Sequence, residues 1–245
     1  MTTIKNIIRR RAQQILGFSR YLFWFSRFTI FRIRVLKSEK AFRFFMSLVP
    51  GDGAILDIGA NIGINTVMLA KAFPRAVIHA FEPVEENYQT LEKIIASYRL
   101  KNVQLYQTAL GEKAGEAAMI MPHHEGSKMQ GWSRMHEGED QQLGMGERFI
   151  VGVQRLDDVG ALKNANIGAI KIDVENFEYF VLKGGELLLK KNKPLIFCEL
   201  WNDERRMLCF DFLRGLGYRV MIFRGNKLVP HAGEDALNYF FIPGW

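Results

Sequence analysis

The feature that most constrains the fold is the alternation of short apolar runs with amphipathic segments from residue 50 onward. Strands that alternate with helices form crossover units, which build a mainly parallel sheet with helices on both faces. We therefore predict an α/β fold. The predicted strands are residues 54–59, 76–81, 103–110, 169–174, 194–200, 218–223 and 238–242.

The size and composition exclude several other protein classes. The chain has 245 residues, of which 48% are apolar and 24% charged, as in ordinary globular proteins. A chain of this length buries a large core without covalent cross-links. Cys198 and Cys209 are the only cysteines, which excludes a disulfide framework and favours a reducing, cytoplasmic location.

The basic charge is concentrated at the N-terminus. Residues 1–50 carry eleven of the 33 Lys and Arg side chains but one of the 26 acidic ones. The net charge of +7 therefore comes from this segment, and the rest of the chain is slightly acidic. We predict two regions: a basic, aromatic helical extension over residues 1–49 and an α/β domain over residues 50–245.

Two interpretations of this extension remain open. Arginines interrupt every stretch long enough to cross a membrane, and no convincing signal-peptide cleavage site follows the apolar residues. One or two basic amphipathic helices are expected instead. Residues 1–45 either make peripheral contact with the inner membrane surface, or pack their aromatic side chains on the domain under arginine stems. Contact with a protein partner or a nucleic acid is a third, weaker possibility.

Residues 111–148 interrupt the alternation and are rich in Gly, Met, His and Glu. A long segment without clear periodicity inside a compact fold is usually functional. We predict a lid or substrate-recognition loop, with residues 116–121 and 148–154 paired as an antiparallel hairpin at its base. Its histidines match no zinc spacing and are interpreted as exposed loop residues: His123, His124 and His136.

A glycine-containing turn follows the first predicted strand. Gly59 permits a tight turn, and Gly63 allows the backbone to approach a ligand at a helix N-terminus. Glu82 ends the second strand, nineteen residues after Gly63, where an acid can reach a ribose diol. This pattern predicts an adenosine-type cofactor at the carboxyl edge of the sheet.

The glycine pattern favours one such cofactor. A dinucleotide-binding turn would need glycines at positions 59, 61 and 64, and only the first is present. The acidic Asp57 near the turn suits a positively charged sulfonium, which favours S-adenosylmethionine. Tyr179 and Lys183 mimic a dehydrogenase pair but lack a suitably spaced upstream serine, so we interpret them as coincidence.

Six short motifs follow one another along the chain: LDIGANIGINT (56–66), AFEP (80–83), TALG (108–111), LDD (156–158), KIDVENFE (171–178) and CEL (198–200). In this order they resemble the FkbM family of S-adenosylmethionine-dependent methyltransferases. The resemblance implies a Rossmann-like class I methyltransferase fold, with a seven-stranded sheet whose last strand is antiparallel. It also implies O-methylation, often of sugar or polyketide hydroxyls.

The resemblance also implies roles for individual residues. Glu82 would hold the ribose hydroxyls, and Asp173 would stand beside the methyl group. Asn176 occupies a position where the family usually has glycine, which indicates a positive φ that Asn tolerates better than most residues. The methionine part of the cofactor would be lined by Asp57, Gly59, Asn61 and Gly63, and the adenine flanked by Thr108 and Ala109.

Methyl transfer to a hydroxyl requires that the acceptor be positioned and its proton be taken up. Asp173, Glu175 and Glu199 end adjacent predicted strands, and Lys171 shares a strand face with Asp173. We predict Asp173 as proton acceptor or methyl-site organiser, with Glu199 second, and assign no metal ligand.

Other roles for these acids remain open. Glu175 and Glu178 could cap the following helix, and the carboxylates could bind a divalent cation. Two tryptophan-containing segments are candidate acceptor walls: residues 132–134 (Trp132, Ser133, Arg134) and residues 201–202 (Trp201, Asn202).

These observations favour an O-methyltransferase that acts on a hydroxyl of a glycan, a lipid-linked sugar or a small metabolite. An RNA methyltransferase that uses the basic arm is an alternative, although the body is acidic and shows no RNA-binding motif. A non-catalytic adenosine-ligand or membrane-interaction protein is a second alternative. The sequence makes no prediction of oligomeric state.

Overall fold

The computed structural model describes residues 4–51, 53–124, 127–135 and 146–244. The helices in these ranges are α1 (Ile4–Leu16), α2 (Phe18–Leu36), α3 (Lys40–Leu48), α4 (Ile64–Ala72), α5 (Glu85–Ser97), α6 (Glu178–Gly184), α7 (Glu186–Asn192) and α8 (Glu204–Gly215). The strands are β1 (Ala54–Ile58), β2 (Ile78–Phe81), β3 (Val103–Tyr106), β4 (Ala109–Leu110), β5 (Gly115–His124), β6 (Ser127–Lys128), β7 (Arg134–Met135), β8 (Gly146–Gln154), β9 (Ile167–Ile172), β10 (Leu195–Glu199), β11 (Tyr218–Arg224), β12 (Lys227–Pro230) and β13 (Asn238–Pro243).

The main sheet confirms the predicted fold class. Its strand order is β12-β11-β13-β10-β9-β1-β2-β3. The pairs from β10 to β3 are parallel, and β13 runs antiparallel to both β10 and β11. The sheet has one strand more than the seven expected, because β12 forms an edge hairpin with β11. Gly225 and Asn226 make this two-residue turn, both with positive φ.

The central strands have nearly continuous apolar sequences because helices cover both faces of the sheet. All five residues of β1 are buried. On one face Phe210 of α8 lies in the largest apolar cluster; on the other, Phe42 and Phe45 of α3 pack against Phe197 of β10 with ring centroids 5.8 and 5.2 Å apart. Both cysteines are buried free thiols.

Two predicted elements are divided in the structure. The predicted strand 103–110 becomes β3 and β4, because the chain leaves the main sheet after Tyr106 and β4 pairs with β8. The alternation of strands with helices also predicts one helix between β9 and β10, and the structure has two, α6 and α7, which meet at Gly185. A β-carbon on Gly185 would lie 2.7 Å from Leu156, so the close contact there favours a break.

A second, smaller sheet is built from the inserted segment. The predicted hairpin is confirmed: β5 and β8 are antiparallel, with Met119 opposite Phe149. Short strands β4, β6 and β7 complete this sheet. His123 and His124 are exposed at the end of β5, and His136 lies outside the described residues.

The N-terminal segment forms three helices rather than one or two. Gly17, with φ of 74°, separates α1 from α2. The Ser26 hydroxyl of α2 donates a 2.8 Å hydrogen bond to the carbonyl of Ile62, which ties this helix to the turn after β1. None of the helices in the described ranges is both long and apolar enough to cross a membrane.

Candidate active site

The carboxyl ends of β1, β2, β9 and β10 border two adjoining cavities. The first encloses about 640 Å³ and the second about 1180 Å³, including space open to solvent. Both volumes are of the order found for small-molecule sites. The two cavities share the following lining residues: Gly59, Asn61, Gln130, Gly131 and Asp173.

The turn after β1 is held against two neighbouring strands. Gly59 has φ of 78°, and a β-carbon there would overlap the backbone carbonyl of Asp173. Asn61 has φ of 50°, and its backbone N–H donates a 2.8 Å hydrogen bond to Oε2 of Glu82. The turn therefore needs glycine at 59 for space as well as conformation.

Glu82 has the features expected of a residue that binds a ribose diol. Its Oε1 accepts hydrogen bonds from the Val84 backbone at 3.0 Å and from the Asn87 amide at 3.2 Å. Burial raises the pKa of Glu82 to about 7, although these hydrogen bonds and the one from Asn61 oppose the shift. Oε2 accepts the Asn61 bond, and a carboxylate oxygen has capacity for one more donor.

The rest of the first cavity is mainly apolar. Thr108 and Ala109 line it, and the place beside adenine that the resemblance implies for them stays a prediction. The Thr108 hydroxyl lies 3.1 Å from the carbonyl of Gly152, so β8 helps to fix this wall. The apolar side chains around them are Val84, Met119, Met135 and Phe177, of which the two methionines come from the insertion.

Asp57 and Gly63 line neither cavity, contrary to the roles assigned to them from the sequence. The carboxylate of Asp57 is fully buried and accepts a 2.6 Å hydrogen bond from Thr66 at the start of α4. Gly63 has φ of 83°, and a β-carbon there would come within 2.7 Å of Leu91. Its glycine is therefore needed for packing against α5 rather than for approach of a ligand.

Lys171 is buried beneath the site, with 3% of its side chain exposed. Its ammonium donates a 2.9 Å hydrogen bond to the carbonyl of Gly59 and lies 3.4 Å from Asp57 and 3.6 Å from Asp173. Burial alone would lower the pKa of Lys171, but Asp173 and Asp57 outweigh it and keep the pKa raised. The charged ammonium thus positions both the turn and Asp173.

Three carboxyl groups meet where the cavities join. Asp173 borders both cavities, Glu175 the first and Glu199 the second. Burial, reinforced by Asp173, raises the pKa of Glu175 to about 8 and that of Glu199 to about 7. Groups that titrate near neutral pH can both accept and release protons, as acid–base chemistry requires.

The loop after β9 contains two consecutive residues in the left-handed region. Glu175 has φ of 55° and Asn176 has φ of 73°. The positive φ expected at 176 is therefore present with Asn in place of glycine. Glu178 accepts bonds from the backbone N–H groups of Val174 at 3.0 Å and Asn176 at 3.2 Å. It closes this loop, and burial raises its pKa to about 7.

The walls of the second cavity come largely from residues that motif analysis missed. Helices α2 and α3 and the insertion contribute Phe25, Thr29, Ile33, Phe42, Gln130 and Gly131. These residues belong to no motif. The apolar face of the N-terminal helices could have indicated the first four, and the predicted loop over residues 111–148 includes Gln130 and Gly131.

The two candidate acceptor walls contact each other through Arg134 and Trp201, which line neither cavity. The Arg134 guanidinium lies 5.8 Å from the ring centroid of Trp201. Trp132 is 52% exposed, and Asn202 is exposed on the surface. Ser133 lines the first cavity.

Among the described residues, the structure supports neither a divalent cation site nor a dehydrogenase-type pair at Tyr179 and Lys183. In the described parts of the chain, no three His, Cys, Asp or Glu residues are arranged to hold a metal ion. Tyr179 packs edge-on against Phe212, and the ammonium of Lys183 lies 5.3 Å from the same ring. This pair is part of the packing between α6 and α8.

Comparison with known proteins identifies a family. The family model for the methyltransferase FkbM domain matches residues 57–220. "Methyltransferase 1" of Beauveria bassiana (strain ARSEF 2860) is 29% identical over 149 residues, which are 55% of this chain and 59% of that protein. The 31-O-demethyl-FK506 methyltransferase FkbM of Streptomyces tacrolimicus is 28% identical over 216 residues, 78% of each protein.

A solved structure shares the fold. The crystal structure of methyltransferase FkbM from Methylobacillus flagellatus KT superposes with a TM-score of 0.55 at 14% identity. The match covers 97% of this chain and 59% of that one. The chain thus spans about three fifths of the length of both the Beauveria and the Methylobacillus proteins.

Proposed function

The chain belongs to the FkbM methyltransferase family, and on this premise we propose that it transfers a methyl group from S-adenosylmethionine to a hydroxyl of an acceptor in the second cavity. The observation that carries the proposal is the position of Asp173, whose side chain is 34% exposed where the two cavities join. A group at this junction can contact both reactants.

The first cavity fits the cofactor. Glu82 keeps acceptor capacity for ribose hydroxyls, and the apolar walls beside Ala109 suit a flat aromatic base. Gly59 and Asn61 carry the cavity on to Asp173, where the methionine part would lie. When bound, S-adenosylmethionine supplies an electrophilic methyl group on a positively charged sulfur.

The acidic residues of the junction can take up the hydroxyl proton. The ammonium of Lys171 lies 3.6 Å from the carboxylate of Asp173, and this ion pair holds Asp173 in place. Glu199 lies on the second-cavity side, and its pKa of about 7 leaves it largely ionised above neutral pH. We assign proton uptake to Asp173, with Glu199 as the second candidate, and the positioning of Asp173 to Lys171.

The acceptor that this cavity favours is a hydroxyl compound with apolar surface. Phe25, Ile33 and Phe42 form one side of the cavity, whereas Glu39, Asp173 and Glu199 supply hydrogen-bond acceptors. We propose a glycan, a lipid-linked sugar or a small metabolite. The name of the Streptomyces relative specifies transfer to an oxygen atom, which supports a hydroxyl acceptor. The same carboxylates would repel the phosphates of RNA.

Titration calorimetry with S-adenosylmethionine, and separately with NADH, tests the cofactor assignment. Wild type should bind S-adenosylmethionine at micromolar concentration and should not bind NADH. Glu82→Gln should weaken that binding about tenfold or more, because an amide replaces one of the two buried acceptor oxygens. Glu92→Gln, at an exposed position on α5, is the matched control. Folded wild-type protein that binds no S-adenosylmethionine would overturn the proposal.

An acceptor screen then tests the reaction. Methyl-labelled S-adenosylmethionine is incubated with the protein and with pools of glycans, glycolipids and hydroxylated metabolites, and in a separate reaction with total RNA. Label that appears in an ether linkage supports the proposal, and label that appears only in RNA would replace it with the RNA alternative.

A further inference from the structure

Helix α2 exposes an apolar ridge on the face opposite to the one that packs on the domain. The residues of this α2 ridge are spaced four, three and four apart, so they share one helix face. They are Trp24, Phe28, Phe31 and Val35, with 59%, 62%, 63% and 58% of their surface exposed. The buried residues of the same helix are Tyr21, Leu22, Ser26, Thr29, Ile30 and Ile33.

Exposed arginines flank this ridge. Arg20, Arg32 and Arg34 are exposed, and none of them forms an ion pair with an acid in the described parts of the chain. Residues 4–36 contain no Asp or Glu. Arg27, by contrast, is used within the fold: it donates a 3.0 Å hydrogen bond to Ser97 and lies over the ring of Tyr98. The uncompensated positive charge therefore lies beside the ridge.

We propose that the α2 ridge docks on the surface of an anionic lipid bilayer. Aromatic side chains on an exposed helix face partition into the headgroup region, and neighbouring arginines interact with anionic headgroups. Four aromatic and aliphatic side chains of this size are rarely left together on the surface of a soluble protein without a partner. On this proposal the two interpretations of the N-terminal extension apply to opposite faces of α2, one that packs on the domain and one that contacts the membrane.

The charge around the ridge argues against two other occupants. A second copy of the chain that paired ridge to ridge would bring Arg20, Arg32 and Arg34 towards their own counterparts, with no acid on the helix to compensate. A single-stranded nucleic acid would contact the arginines and stack bases on the aromatic rings, but it would leave the aliphatic Val35 in water. An anionic bilayer satisfies both the apolar and the basic groups.

Vesicle sedimentation with the full chain, without cofactor or acceptor, tests this proposal separately from methyl transfer. Wild type should bind vesicles that contain phosphatidylglycerol about tenfold more tightly than vesicles of phosphatidylcholine alone. Phe28→Ser/Phe31→Ser and Arg32→Gln/Arg34→Gln should each weaken binding about tenfold. Circular dichroism verifies that each variant is folded.

Matched pairs elsewhere on the surface serve as controls. Leu187→Ser/Leu208→Ser removes two exposed apolar side chains from α7 and α8, and Lys101→Gln/Lys227→Gln removes two exposed charges. Both should bind like wild type. Brominated acyl chains should quench more fluorescence in wild type than in Trp24→Phe, because Trp24 enters the interface.

Three results would overturn the proposal. Folded wild type could fail to bind either vesicle, or the control pairs could weaken binding as much as the ridge pairs. Alternatively, sedimentation equilibrium could show a dimer that Phe28→Ser/Phe31→Ser dissociates in the absence of vesicle binding, which would assign the ridge to a second copy.

Discussion

A β-carbon on Gly59 would overlap the backbone carbonyl oxygen of Asp173. The turn that follows β1 and the carboxyl end of β9 are thus in direct contact, with no side chain between them. Asp173 donates its backbone N–H to the carbonyl of Ile58 at 3.1 Å, which holds the contact from the other side. This close approach is what brings the glycine turn and the candidate proton acceptor together.

Gly59→Ala should therefore destabilise the protein strongly. Alanine at position 59 would have to adopt a positive φ, and its β-carbon would clash with the backbone of Asp173. Together these effects should lower the free energy of unfolding by about 3 kcal/mol or more. Gly152→Ala is the control, because its β-carbon would meet no atom within 4 Å and its φ is not positive. Urea denaturation measures both. A loss below about 1 kcal/mol for Gly59→Ala would show that β9 can move away from the turn.

Asp173→Asn should reduce turnover about 100-fold or more, because the amide cannot take up the hydroxyl proton. Binding of S-adenosylmethionine should weaken far less than turnover falls, since Glu82 and the apolar walls are untouched. Steady-state kinetics and calorimetry together measure this split, with the exposed Asp211→Asn as the control. Near-normal turnover by folded Asp173→Asn would remove Asp173 from the mechanism and direct attention to Glu199.

The buried carboxyl groups should make stability depend on pH. Glu82, Glu178 and Glu199 have pKa values of about 7 and Glu175 of about 8, against an ordinary value of 4.5. The folded state therefore binds more protons than the unfolded state between these values. The contribution of these groups to stability is greatest below about pH 4.5 and declines as the pH rises to about 8.

Glu178→Gln tests this pH dependence at one position. Oε1 of Glu178 accepts both backbone hydrogen bonds. Glutamine keeps this oxygen but has no proton that titrates in this pH range. The decline in unfolding free energy between about pH 5 and pH 8 should become shallower. Urea denaturation across this range measures it. Glu92→Gln should leave the slope unchanged, and an unchanged slope in Glu178→Gln would contradict the raised pKa.

Asn176 should accept glycine and resist alanine. With φ of 73°, alanine at this position should be about 1 kcal/mol less stable than glycine. The same pair of substitutions at Asn202, where φ is not positive, should show no such preference for glycine. Comparing the four variants by urea denaturation cancels the loss of each asparagine side chain. Equal stability of Asn176→Ala and Asn176→Gly would show that the loop can leave the left-handed region.

The sequence was informative where chemistry and periodicity coincide. The apolar run of β1, the turn at Gly59 and the acid at Glu82 predicted both a central strand and two residues that line the first cavity. Asn176 was also informative, because a family glycine implies a backbone conformation that asparagine can share. Each of these signals depends on local backbone geometry, which neighbouring residues determine.

Features that depend on distant packing could not be predicted in the same way. Gly63 looked like a ligand-binding glycine, yet its space is taken by Leu91, which lies 28 residues further along the chain. The break at Gly185 depends on Leu156 in another element. The walls of the second cavity come from α2 and α3, whose apolar residues resemble those of any packed helix. Only the three-dimensional arrangement separates these roles.

Helix α2 forms a wall between the second cavity and the surrounding medium. Thr29 and Ile33 line the cavity, whereas Phe28 and Phe31 are exposed on the opposite face. Inserting or deleting one residue before Ser26 would rotate everything after it by about 100° and move both faces at once. Point substitutions can alter either face alone. We therefore expect functional variants of α2 to differ by point substitutions or by exchange of the whole helix. Variants in which the helix is one residue longer or shorter should lose function.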